Sequence, residues 1–100
     1  MIAVKSTLFK PSRVLATPAS LEAIEQAGQS VWEFLTRHFA GDWGNVDTHD
    51  KAANDEALRD GSRLLSAYVL NTGTTIWLIT EAQDDNGHRV ATTALLPDDY

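Results

Sequence analysis

The sequence predicts an α+β fold, with two or three N-terminal helices packed on one face of a three- to four-stranded antiparallel sheet. Up to Gly61 the apolar residues recur at helical spacing, whereas beyond it they alternate along three short segments. The chain has 100 residues, of which 43% are hydrophobic, and this suits one small core. We therefore predict an N-terminal arm at residues 1–12 and a single domain at residues 13–100.

The first predicted elements are a short strand and a helix. Arg13–Ala16 is an extended run that could add an edge strand to the sheet. Thr17 then has the character of an N-cap, followed by Pro18 at the first helical position, where its missing N–H costs nothing. Gly28 suits the left-handed residue that closes a helix, so this helix has about three turns.

A second helix is predicted to begin after Ser30, with Glu33 completing a capping box. It is the most apolar helix of the chain, and a glycine at position 41 ends it. One face is predicted to carry Val31, Leu35 and either His38 or Phe39, with Trp32 and Phe34 beside it.

A third helix follows an N-cap among Asp47–Asp50. Its body, Lys51–Arg59, has only a weak apolar face of alanines and Leu58, so we expect a surface cover that Gly61 stops.

Three strands complete the fold. Their residues are rich in β-branched and aromatic side chains, and Asn- and Gly-containing turns separate them, as hairpins require. The predicted strands are Arg63–Leu70, Thr74–Glu81 and Arg89–Leu96, which form an antiparallel meander.

Composition excludes several function classes. The net charge of −6 with only 8 Lys and Arg residues disfavours a surface that tracks phosphates, so nucleic acid is an unexpected partner, although Lys5, Lys10 and Arg13 make the N-terminus locally basic. No apolar run approaches a membrane span, and no secretory signal is visible. Because the chain has no cysteine, we expect a cytoplasmic protein. Because it has no phosphate-binding or dinucleotide motif, we expect no cofactor.

The segment Arg37–Asn45 looks most like a site, because charge, imidazole, indole and two glycines lie within nine residues. In one interpretation, Asp42 turns the chain and Trp43 covers the sheet. In the other, this is a recognition loop, since a Trp flanked by charged and amide groups is typical of protein interfaces. The predicted contact residues are Arg37, Asp42, Trp43 and Asn45.

A metal site is possible in the same region but is not expected. His38, Asp42, Asp47 and His49 are potential ligands, yet the two histidines are far apart and lack the tight spacing of zinc sites. We expect instead that the His38 ring packs beside Phe39 and Leu35 with one nitrogen bonded to a carbonyl.

A polar row along the predicted strands has two interpretations. Most solvated sheet faces look like this, and that is the simpler explanation. Alternatively, His38, Arg63, Tyr68 and Glu81 gather in a cleft as base, phosphate binder and acid of a metal-independent ribonuclease.

Several strings together carry a resemblance to a known family. They are Arg37-His38 with Gly41-Asp42-Trp43-Gly44, then Asn54, Gly61–Tyr68, Trp77–Ala82, Thr92-Thr93, Leu95–Pro97 and Tyr100. In order and spacing, residues 13–100 resemble a family of small bacterial proteins of uncharacterised function, encoded largely on plasmids and other mobile elements. The resemblance implies a genetic context and no activity. The chain departs from the family at Gln83–His88, a longer and more acidic hairpin.

Three hypotheses follow. The first is a small acidic, non-enzymatic accessory protein of bacterial mobile DNA that acts by contact with another protein, in one version as an inhibitor of host defence. The second is the toxin-like ribonuclease. The third is a structural homodimer that pairs through an exposed strand edge or through Trp77.

Overall fold

The computed structural model describes residues 7–100 and confirms the α+β fold, with the helices first and a sheet formed mainly by the C-terminal strands. Residues 1–6 of the predicted arm, including Lys5, lie outside the described part of the chain. The elements in chain order are β1 (Arg13–Ala16), α1 (Pro18–Gln26), α2 (Val31–Phe39), α3 (Thr48–Asp60), β2 (Leu64–Val69), β3 (Thr75–Thr80), β4 (Ala91–Leu95) and a 3₁₀ turn (Pro97–Asp99).

The sheet has the strand order β1-β4-β3-β2. The predicted meander is present, because β2 pairs with β3 and β3 with β4, both antiparallel. Strand β1 differs from the prediction of an antiparallel sheet, since it runs parallel to β4. Parallel neighbours need a long crossover connection, and here the three helices lie between β1 and the meander along the chain.

The helix ends follow the local capping rules. The Thr17 hydroxyl accepts a hydrogen bond from the Ser20 N–H at 3.2 Å, and Asp47 accepts one from the Asp50 N–H at 2.7 Å. Ser30 caps α2 through the Trp32 N–H. The predicted capping box is wrong in its second half, because the Glu33 carboxylate accepts a bond from Gln29 Nε2 instead.

The two faces of the sheet differ in what covers them. We call the face towards the helices the inner face and the opposite one the outer face. The inner face packs on buried side chains of α1 and α2, namely Ile24, Phe34, Leu35 and Phe39. By the strand register, inner positions are Val14, Ala16, Leu64, Ser66, Tyr68, Ile76, Leu78, Thr80, Thr92 and Ala94, and outer positions are Arg13, Leu15, Leu65, Ala67, Val69, Thr75, Trp77, Ile79, Ala91, Thr93 and Leu95.

The described part of the N-terminal arm lies on the domain. The Leu8 N–H donates to the Phe39 carbonyl at 2.8 Å, and the Phe9 ring meets the rings of His38 and Phe39 edge-on at 5.5 and 5.4 Å. Phe9 therefore extends the core of the domain, whereas the other residues of the segment 7–12 are exposed. Within residues 7–100, no helix has the length and apolar character needed to cross a bilayer.

Candidate functional site

The predicted site segment folds into a compact turn at the end of α2. The Arg37 guanidinium makes two hydrogen bonds to the Asp42 carboxylate, at 2.7 and 3.3 Å, and lies 4.5 Å above the centre of the Tyr68 ring. The same carboxylate accepts the Gly44 N–H at 3.2 Å. The Tyr68 hydroxyl donates to the Asp42 carbonyl at 2.7 Å. These bonds fix the turn, and the ion pair lowers the pKa of Asp42 and raises that of Arg37.

Trp43 belongs to the core rather than to the surface. Its side chain is only 4% exposed and packs with Ala57 and Leu64. The indole N–H donates to the Asp55 carboxylate at 3.2 Å. An indole this buried offers almost no area to a partner, so the interpretation of Trp43 as an interface anchor is corrected. Arg37, Asp42 and Asn45 keep exposed side chains.

The backbone of the turn pairs with the edge of β2 that faces away from β3. The Ala67 N–H donates to the Trp43 carbonyl at 3.0 Å, and the Asn45 N–H donates to the Ala67 carbonyl at 2.6 Å. From α3, the Asn54 side chain bonds both the N–H and the carbonyl of Leu65, at 3.0 and 2.7 Å. An unpaired strand edge invites association with other chains. Here the turn and Asn54 satisfy the edge of β2 at these two residues.

His38 lies at the centre of a buried polar network. Its Nδ1 is 2.5 Å from the Ser66 hydroxyl, its Nε2 is 2.7 Å from the Thr80 hydroxyl, and Thr80 contacts the Thr92 hydroxyl at 2.7 Å. The predicted packing beside Phe39 is present at 5.9 Å, but the predicted bond to a carbonyl is wrong, because both ring nitrogens meet hydroxyls. Burial, and then the charge of Arg89, lowers the pKa of His38 to about 4.

The four residues of the ribonuclease hypothesis do not share a cleft. His38 and Tyr68 are buried on the inner side of the sheet. Arg63 and Glu81 are exposed and flank inner-facing Leu64 and Thr80, which places them on the outer side. The sheet therefore separates His38, the candidate base, from Arg63, the candidate phosphate binder. The expectation that these side chains converge is wrong.

Within residues 7–100, no group of three or more His, Asp or Glu side chains is arranged to hold a metal ion. His38 is enclosed by hydroxyls and aromatic rings, whereas His49 is exposed near the start of α3. The structure therefore does not bring the two histidines of the predicted segment to one place.

No family model, curated protein or solved structure matches this chain.

Sequence reasoning missed two features. Arg89 is buried, and its guanidinium donates to the carbonyls of Ala57, Ser62 and Glu81 at 2.9, 2.6 and 3.0 Å. Burial lowers the pKa of Arg89. This side chain therefore ties the end of α3 to the β3–β4 hairpin, a role that its place beside a turn in the sequence did not indicate.

The second missed feature is Trp32. Although it was placed beside the apolar face of α2, its side chain is 62% exposed. It borders a cavity of about 330 Å³ between α2 and the described arm, whose other lining residues are Thr7, Pro11, Leu35, Thr36 and Phe39. The cavity wall contains no charged side chain. The helical spacing of Trp32, Leu35, Thr36 and Phe39 was the signal that could have revealed this surface.

Proposed function

We propose that the protein is a small acidic accessory protein that acts by contact with another protein, through a surface centred on Trp32. The observation that carries this proposal is an exposed indole beside an apolar cavity of about 330 Å³. Tryptophan is the residue type that most often supplies binding energy when an interface covers it, and apolar pockets receive the matching side chain of the partner. The cavity has room for one large apolar side chain.

Arg37 on α2 and Asp42 in the following turn also carry exposed charges, although neither lines the cavity. Arg37 and Asp42 are 42% and 53% exposed in their side chains, and both are held in one geometry by their mutual hydrogen bonds. A preorganised pair of this kind loses little conformational freedom on binding and adds orientation more than affinity. The predicted contact at Arg37, Asp42 and Asn45 thus remains part of the proposal, with Trp32 in place of Trp43 as the aromatic anchor.

We propose further that the protein works in the cytoplasm of bacteria that carry mobile DNA, and that its partner belongs to a host defence system. The resemblance of residues 13–100 to small plasmid-encoded proteins supports the context. The net charge of −6 supports the role, because an acidic protein is attracted to the basic channels in which defence enzymes hold nucleic acid.

Affinity capture from bacterial cells tests the contact. The wild-type chain should retain a partner that Trp32→Ala loses and that Leu21→Ala keeps. Leu21 is a suitable control because it is another exposed apolar residue, on α1, at 48% exposure. Retention of the partner by Trp32→Ala would show that the surface is wrong. Absence of any specifically retained protein would contradict the proposed function itself.

The defence role has a separate test. Plasmid transformation into cells with an active restriction system should become more efficient when this protein is expressed, and Trp32→Ala should remove the gain. If the wild-type protein gives no gain against several defence systems while the captured partner persists, the contact stands and the defence role fails.

A further inference from the structure

The outer face of the sheet has an unusual composition for a face that no helix covers. Apart from Arg13 at the first position of β1, its strand positions carry only Leu, Ala, Val, Ile, Trp and Thr side chains. An antiparallel sheet with helices on one side ordinarily presents polar residues on the other. The inner face here is the more polar of the two, because it holds the hydroxyls of Ser66, Thr80 and Thr92.

Part of this apolar area remains exposed in the single chain. The Tyr100 ring packs edge-on against Trp77 at 6.0 Å and covers the middle of the face. Towards the margins, Leu15 and Val69 are 41% and 49% exposed. Between them Ala67, Ile79 and Leu95 are buried, whereas Tyr100 is 71% exposed. Exposed apolar side chains grouped on one face are typical of interaction sites.

The charges around the outer face are divided between its two ends. At the end where β1 and β2 begin, Arg13 and Arg63 lie on the outer side beside Glu81, and the β3–β4 hairpin beyond this end carries Asp84 and Asp85. At the opposite end lies the 3₁₀ turn with Asp98 and Asp99. Asp99 accepts a hydrogen bond from the Thr17 hydroxyl at 2.6 Å, which fixes the acidic turn directly beyond the end of β1.

We infer that a second copy of this chain covers the outer face, in a two-fold symmetric, face-to-face dimer with the strands of the two sheets antiparallel. In this arrangement β1 lies over β1 of the second copy with its direction reversed. Arg13 then meets Asp98 and Asp99 of the partner subunit, and symmetry forms the same contact twice. The other two-fold arrangement, with the strands parallel, sets Arg13 against Arg63 of the partner subunit, and like charges disfavour it.

The occupied edge of β2 favours the face over this edge as the interface. The edge of β2 that faces away from β3 is occupied by the Trp43–Asn45 turn and by Asn54. Face-to-face packing at a sheet separation of about 10 Å leaves these bonds intact. Trp77 and Tyr100 then pack between the two sheets, where their large rings contribute most of the contact area.

The size of the face determines the strength of the dimer. Four strands at a spacing of about 4.8 Å and a length of about 20 Å give a projected area of roughly 400 Å² per copy. Stable interfaces bury about 800 Å² of accessible surface per partner. We therefore expect a weak dimer, with a dissociation constant in the micromolar range or above, that forms reversibly with concentration.

Sedimentation velocity over a wide concentration range tests the dimer. The wild-type chain should shift from monomer to dimer, and Val69→Lys should raise the dissociation constant by at least about tenfold, because it places a charge in the apolar face. Leu21→Lys, at a residue of matching exposure on α1, should leave association unchanged. A wild-type chain that stays monomeric up to millimolar concentration, or equal effects of the two lysines, would overturn the inference.

A charge-exchange experiment tests the antiparallel arrangement. Arg13→Glu alone and Asp98→Arg alone should each weaken self-association, because each sets like charges together twice. An equimolar mixture of Arg13→Glu and Asp98→Arg should associate more tightly than either variant alone, since the mixed dimer pairs the two substituted side chains on one side and the native Arg13 with the native Asp98 on the other. A mixture no tighter than its components would rule out this arrangement. The dimer does not rest on the Trp32 contact, which lies on a different surface, so either proposal can fail without the other.

Discussion

His38 Nε2 lies 2.7 Å from the hydroxyl of Thr80, and neither side chain has more than 1% of its surface exposed. Through this bond and the contact with Ser66, one helical side chain connects to two neighbouring strands. Within residues 7–100, every buried polar side-chain atom has a hydrogen-bond partner. A fully satisfied network of this kind favours one register of the sheet over others, because a shifted register would leave polar groups unpaired.

Acidification should destabilise the fold through His38. In the unfolded chain its pKa is near the ordinary 6.5, whereas the folded value is about 4. Above pH 6.5 both states are neutral and the stability is unaffected. Between pH 6.5 and pH 4 only the unfolded chain gains the proton, so the free energy of unfolding should fall by about 3 kcal/mol.

Urea denaturation at a series of pH values measures this loss. His38→Gln removes the titrating group, and its stability should be nearly flat over the same interval. The carboxylates with lowered pKa values, such as Asp42 and Asp99, titrate below the interval because they start from 3.8. A decline of the same size in His38→Gln would assign the effect to another group.

Thr80→Val should cost about 1–3 kcal/mol of stability, because the methyl group leaves His38 Nε2 and the Thr92 hydroxyl each without a buried hydrogen-bond partner. Thr93→Val is the matched control, since Thr93 is half-buried and lies on the outer face of the neighbouring strand β4. Its effect should stay within about 0.5 kcal/mol. Equal losses in the two variants, measured by urea denaturation, would mean that the network contributes nothing particular to stability.

Local rules predicted much of this fold and little of its long-range geometry. The Thr17-Pro18 pair and Asp47 set helix starts through bonds to residues three positions away, so nearby sequence contains the information. The partners of His38 lie 28 and 42 positions along the chain, and no local pattern identifies them. The parallel pairing of β1 with β4 was unpredictable for the same reason.

The exposure of Trp32 and the burial of Trp43 could not be derived from helical spacing alone. Trp32 adjoins the apolar stripe of α2, yet the stripe faces the sheet and leaves the indole at its margin. Trp43 lies between Gly41 and Gly44 in a segment that resembles an exposed loop. It is buried because that segment pairs with β2 and is covered by α3, and both contacts depend on the completed fold.

Gly44→Ala should destabilise the protein more than Gly28→Ala. Both glycines have positive φ, +72° and +70°, so each alanine pays a similar backbone cost of about 1–2 kcal/mol. A Cβ at position 44 would also lie 2.1 Å from the Ala67 carbonyl oxygen, whereas position 28 has no heavy atom within 4 Å. The difference in melting temperature between the two variants measures the contact with β2.

Hydrogen exchange makes this comparison specific. In Gly44→Ala the Ala67 N–H should lose protection, because the turn that accepts its hydrogen bond must move away from β2. Gly28→Ala should leave that amide protected. Equal stabilities of the two variants, with Ala67 protected in both, would contradict the close pairing of the turn with the strand.

Tryptophan fluorescence should separate the exposed indole from the buried one. Trp32→Phe removes an emitter that is 62% exposed, so the remaining emission should shift to shorter wavelength and become less accessible to acrylamide. Trp43→Phe removes an indole that is 4% exposed, so the shift should have the opposite sign. Dilute samples keep Trp77 in the monomer state, which holds its contribution constant. A shift of the same sign in both variants would mean that Trp43 is not enclosed, and an enclosed Trp43 is the reason why Trp32 is the proposed anchor.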